Sequence, residues 1–201
     1  MLQDPQIRNL VTPLARAMLL AVSFYGLVAL FLGWGMNMEL LVRHRPSQTA
    51  LVPSTAAAFV LLPQALIAAS VMNRPLTLIL AAGTVLIVVT SMLTQIPQLA
   101  DVRRFSPVEL DPREYMAISS AVGLILGTVA ALRLLKRDLF TVTSIGVFGA
   151  SVSFCIFLLK FGGLNLISDL PVFRGMSLQA AFLFCLLFLA MCLMRTEDTE
   201  D

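Results

Sequence analysis

Residues 112–159 read PREYMAISSAVGLILGTVAALRLLKRDLFTVTSIGVFGASVSFCIFLL. Two apolar runs, 112–135 and 139–159, are parted only by Lys136-Arg137-Asp138. Each run reaches the roughly 20 residues that an α-helix needs to cross the ~30 Å hydrocarbon core of a bilayer. So short a connection joins two antiparallel helices and nothing else. Asp111-Pro112-Arg113-Glu114 reads as an N-cap, a proline at the first helical position and an acidic side chain in the first turn. Asp138 is the expected cap of the second run.

Four further runs flank this hairpin, at 13–36, 54–72, 76–94 and 177–194. Pro13 suits a first helical turn, whereas Pro63 falls inside its run and is expected to kink it. Asn73-Arg74-Pro75 makes a second tight turn. The reading is an all-α integral membrane protein, a six-transmembrane-helix bundle forming one domain over 1–194, with a polar tail at 195–201. The apolar run near the N-terminus ends in no small-residue cleavage site, so it reads as a retained anchor and not a secretory signal.

Composition agrees. The 201 residues are 58% hydrophobic and 13% charged, with a mean hydropathy of +0.89. A soluble domain carries about 25% charge, so lipid must be the solvent over most of this surface. A net charge of +2 is too small to suggest a nucleic-acid binder. Cys155, Cys185 and Cys192 lie inside apolar runs without metal or redox spacing. His44 sits between Arg43 and Arg45 in a polar loop. No phosphate-binding loop, zinc motif or nucleophile elbow is present. The expectation is a chain that is not an enzyme and binds no cofactor or metal.

Ionisable groups at mid-depth would mark an ion or proton path. None is found: Arg16, Arg133 and Lys160 lie near span ends and can snorkel to the interface. Gln64, beside Pro63, is the most notable polar group within a span. The longer loops, 37–53, 95–111 and 165–176, share one face of the membrane, while both tight turns and both termini share the other. Lys and Arg divide seven to seven between the faces. Because short loops weigh most, the basic turns favour cytoplasmic termini. The second long loop, with Ile96, Leu99, Val102 and Phe105 among charges, suits a short interfacial helix.

The ends of the chain resemble each other. Gly35-Met36-Asn37-Met38 pairs with Gly163-Leu164-Asn165-Leu166, and Ser54-x-x-Ala57-Ala58-Phe59 pairs with Ser177-x-x-Ala180-Ala181-Phe182. This is a weak parallel repeat of spans 1–2 and 5–6. Its structural explanation is ordinary: glycine ends a helix, serine caps the next, and paired alanines allow close approach. Its functional explanation is a ligand-binding pocket on the loop face, lined by Trp34, Asn37, Ser54, Asn165, Ser177 and Gln179. Trp34 equally suits a headgroup anchor. A second pattern is the small-residue stripe Ser119, Gly123, Gly127 and Ala131, matched by Gly146 and Ala150 in the next span. It serves either to pack the two hairpin neighbours or to form a homodimer through span four.

Two of these stretches carry a family resemblance. Gly33-Trp34-Gly35-Met36-Asn37 followed by Val52-Pro53-Ser54-Thr55-Ala56-Ala57-Ala58-Phe59, and Leu159-Lys160-Phe161-Gly162-Gly163 followed by Met176-Ser177-Leu178-Gln179-Ala180-Ala181-Phe182, are similar to the N-terminal multi-span sensor region of bacterial histidine kinases and diguanylate cyclases. The resemblance implies an input module of the bacterial inner membrane, with cytoplasmic termini, that passes a signal to an output domain. This sequence reaches Asp201 without a kinase or cyclase core, so the module is stand-alone or truncated, or its signal goes to a separate protein partner. An accessory or assembly subunit of a larger membrane complex is the alternative, and a small solute carrier is a third.

Overall fold

The computed structural model describes residues 5–36, 38–43, 49–95, 115–162 and 175–194. Within them every regular element is helical: α1 (Pro5–Val28) running into a π-helical turn (Ala29–Trp34), a short α2 (Glu39–Val42), α3 (Pro53–Ser70), α4 (Arg74–Leu93), α5 (Ile118–Leu134), α6 (Leu139–Phe161) and α7 (Leu178–Leu193). Four stretches are long and apolar enough to cross a membrane: Thr12–Trp34, α3, α4 and α6. The other two apolar helices are shorter, α5 with 17 residues and α7 with 16.

Two helix starts differ from the sequence reading. The first helix starts at Pro5, so Pro13 lies inside it and not in its first turn. The fourth span begins at Ile118 with Ala117 as its N-cap, six residues after the proline expected to open it. Ala117 is extended (ψ 144°), and Met116 and Ala117 are buried against the bundle outside the helix. Asp111, Pro112, Glu114 and the expected interfacial helix lie outside the described residues. Pro63 is accommodated within α3. There Gln64 Nε2 donates to Ser23 Oγ (3.1 Å), and Ser23 donates to the Val60 carbonyl (3.3 Å), so the polar groups of α1 and α3 satisfy one another.

Both tight turns share one construction. Met72 (φ 58°) and Arg137 (φ 57°) adopt the left-handed conformation. The next amide reaches back to the preceding helix, Asn73 N to Ala68 O and Asp138 N to Arg133 O, which is the hydrogen bond of a Schellman ending. The following side chain then caps the next helix: Asn73 Oδ1 accepts from Leu76 N, and Asp138 Oδ1 accepts from Thr141 N. One helix is closed and the next opened within four residues. Hydrogen bonds from the Thr141 hydroxyl and amide hold the Asp138 carboxyl below the usual carboxylate range, with a smaller contribution from Arg133.

The helices form an inner and an outer set. The apolar stretch of α3 is 61% buried, that of α4 only 22% and that of α6 28%. Inner helices α3, α5 and α7 meet at the centre, where Phe59 of α3 lies edge-on to Phe184 of α7 with ring centroids 4.7 Å apart. Outer helices α1, α4 and α6 each straddle two inner ones: α4 lies on α3 and α5, α6 on α5 and α7, and α1 on α7 and α3. The N-terminal helix thereby fills the gap left after the last one.

Counted from their N-caps (Val52, Ala117 and Ser177), the three inner helices bury corresponding positions. Ala56, Ala121 and Ala181 form one level; Phe59, Leu124 and Phe184 the next; then Leu62, Gly127 and Leu187; then Ala65, Ala130 and Ala190. Alanine levels bracket two adjacent levels of large side chains, and Gly127 makes room in the second of them for Leu62. The register differs from that expected for the sequence ends. The expected pairing joins Phe59 to Phe182, yet Phe59 is fully buried and Phe182 is 46% exposed. Burial pairs Phe59 with Phe184, two residues further on.

Candidate functional site

The extended residues before each inner helix create a problem of physical chemistry. Leu51, Met116 and Met176 are buried, and the first helical bonds are accepted by the carbonyls that follow them, those of Val52, Ala117 and Ser177. A buried unsatisfied carbonyl costs about 1–3 kcal/mol, and irregular chain at membrane depth persists only where protein satisfies it.

Three side chains do so, each from the loop-face end of an outer helix. Trp34 Nε1 donates to Leu51 O (2.9 Å), Gln95 Nε2 donates to Met116 O (2.9 Å), and the Lys160 ammonium donates to Met176 O. Thr49 Oγ1 also donates to Met176 O (3.2 Å), bringing the first loop to the start of α7. An indole, an amide and an ammonium thus serve three corresponding places. The π-helical turn widens the end of the first outer helix and delivers Trp34 to Leu51. Beside it, Tyr25 Oη donates to Leu41 O (2.9 Å) and ties α2 to α1.

Of the residues expected to form a loop-face pocket, Trp34 therefore bonds the chain leading into α3. Ser54 faces Ser91 of α4, their hydroxyls 3.1 Å apart. Ser177 is the buried cap of α7 and accepts from Ala180 N. Gln179 lines a cavity of about 240 Å³ with Tyr25, Leu40 and Phe157. Asn37 and Asn165 lie outside the described residues. Sequence reasoning assigned Lys160 to snorkelling and left Gln95 in a loop. No sequence spacing marks either, since Gln95 lies 21 residues before Met116 and Lys160 lies 16 before Met176.

The small-residue stripe has a different direction from the one expected. A Cβ on Gly123 would meet the Phe184 ring at 2.7 Å, and one on Gly127 would meet Leu62 at 2.6 Å. The stripe on α5 thus receives side chains of α7 and α3, not of its hairpin neighbour α6. Ala131 is fully buried with it. Gly146 lies against the backbone of α7, where a Cβ would stand 3.0 Å from the Phe188 carbonyl oxygen. Ala150 is half-buried against the core. These residues hold the chain's own helices together, and the face of α5 left exposed carries Val122, Ile125 and Val129 instead.

No family model, curated protein or solved structure matches this chain. Its chemistry must be read from its own groups. Among the described residues, every buried polar side chain is a serine or threonine. No group of histidine, cysteine or acidic side chains suited to a metal ion occurs among them.

One further feature stands out. A cavity of about 270 Å³ lies between α5, α6 and α7. Stacked Phe184 and Phe188 rings (centroids 5.9 Å apart) form its floor. Val122 and Leu126 of α5 and Phe148, Val152 and Ile156 of α6 form its walls.

Proposed function

We propose that this chain is a non-catalytic, six-span module of the bacterial inner membrane that relays a change at its loop face to a protein partner at its termini. The supporting observation is the junction at Met176, whose carbonyl gathers Lys160 from α6 and Thr49 from the first loop just before α7 begins. A shift of that junction has α7, a continuous helix, as its path toward the C-terminal tail. In this reading α5 and α7 cross the bilayer despite their length, because the buried extended residues before each add to its thickness. The chain is then a threefold array of helical hairpins, with α1 in the place of the outer helix that would follow α7.

A carrier is disfavoured because no ionisable side chain among the described residues is fully buried in the core, where an ion or proton path would need one. An accessory subunit of a larger complex is the competing reading. Purification of the tagged chain in a mild detergent separates the two. Co-purification of a soluble signalling protein through the terminal face supports the relay. A stoichiometric integral membrane complex refutes it in favour of the subunit. Cysteines placed singly at Asn37 and Asn165 should both react with an impermeant maleimide from the periplasmic side. Reaction at only one would remove the six-span topology.

A further inference from the structure

The groove between α5 and α6 has a direction. Along α6, Gly149, Ser153 and Ile156 line it, and Lys160 follows on the same helical face one turn later. Lys160 bonds the carbonyl of Met176, which itself lines the groove. The loop-face end is therefore cationic, while the rest is apolar. Its rim consists of outward-facing side chains, Val122 49% and Phe148 64% exposed, so it opens sideways toward whatever surrounds the bundle. At its polar end Ser119 Oγ is buried and has no hydrogen-bond partner.

We propose that this groove is a binding site for one acyl chain of an anionic phospholipid, with the lipid phosphate held at Lys160. The inference rests on the chain being membrane-embedded and not on the relay. Charge and shape both argue for this occupant. A volume of 270 Å³ holds roughly nine groups of water or methylene size at about 30 Å³ each, which is a substantial part of one acyl chain. An ammonium has three N–H donors, and Met176 takes one, so the others serve a phosphate. The site lies at the loop-face end, where span ends meet headgroups.

The test is native mass spectrometry of the chain in a neutral maltoside detergent, with equal amounts of dioleoyl phosphatidylglycerol and dioleoyl phosphatidylcholine. One phosphatidylglycerol per chain should be retained, preferred about fivefold, the worth of one lysine near an anionic surface. Lys160→Gln should keep a lipid but erase the preference. Val152→Phe should fill the groove and expel the lipid, and Ser119→Leu should do the same from the opposite wall. Val147→Phe, on an exposed part of α6 outside this groove, should change neither. Equal retention of the two lipids by the unaltered protein overturns the proposal. So does retention by a folded Val152→Phe or Ser119→Leu variant, or a dimer that Val152→Phe dissociates, which would give the groove to a second copy. A chain that stays dispersed without detergent refutes membrane embedding itself. A detergent-requiring chain without lipid preference refutes only this site.

Discussion

Removing a carbonyl clasp should cost stability in proportion to how many donors remain. Gln95→Leu keeps the size of the side chain and deletes the only described donor to Met116 O, a bond of 2.9 Å beside a residue 1% exposed. The carbonyl is then left buried without a partner, at about 1–3 kcal/mol. Lys160→Met deletes one of two donors to Met176 O, because Thr49 remains. Its loss should be nearer the roughly 0.5–1.5 kcal/mol of a single net hydrogen bond. Adding Thr49→Val to Lys160→Met then strands that carbonyl, and the double variant should lose more than the sum of the singles. A coupling of about 0.5 kcal/mol or more is within reach of a double-mutant cycle. The assay is reversible denaturant unfolding in mixed micelles, followed by helical circular dichroism. Additive losses at Thr49 and Lys160, or a Gln95→Leu variant as stable as the parent, would refute the argument that these side chains exist to satisfy carbonyls.

Other outcomes follow from the same geometry. Gly146→Ala should destabilise more than Gly83→Ala, because its Cβ would meet α7 backbone while that of Gly83 would meet only the Leu61 methyl; overpacking of about 1–3 kcal/mol is expected at Gly146, and equal unfolding midpoints would contradict it. Trp34→Phe should destabilise by about 1–3 kcal/mol through the lost indole N–H to Leu51 O, with the smaller ring adding to the loss; an unchanged midpoint would show that Trp34 acts only as an anchor. The Asp138 carboxyl has a lowered pKa in the folded chain, so its capping contribution is present above the ordinary carboxylate pKa of about 3.9. It is lost as the pH falls through the lower folded value. Asp138→Asn keeps a capping oxygen and should flatten that acid-side decline, which a pH series of unfolding midpoints would detect.

What the sequence made legible was what local chemistry dictates. Apolar runs declared helices, and Asp138 declared the start of α6, because a carboxylate between a basic turn and an apolar run has one ready use. The fourth span's start was misread because Asp111-Pro112 carries every local sign of a cap, whereas burial of Met116 and Ala117 is decided by neighbours far along the chain. Spacing of Gly123 and Gly127 revealed a smooth stripe but not its azimuth: a four-residue period says that a face exists, not which helix fills it. The two-residue error in pairing Phe59 has the same origin, since Ala-Ala-Phe reads alike whether the ring points to the axis or to the outside. The groove was invisible because it arises where α5 and α6 stand apart, and no single stretch of chain records a separation.

The position of α1 has a consequence for how the molecule is made. A helix that packs on both α3 and α7 leaves the ribosome before either and must wait for α7. Until α7 is synthesised, the assembly is an open arc with one flank of α1 lacking its neighbour. Closure of the ring is therefore reported by a single event, the meeting of α1 with α7. A chain interrupted before α7 leaves α1 with an unclosed apolar seam.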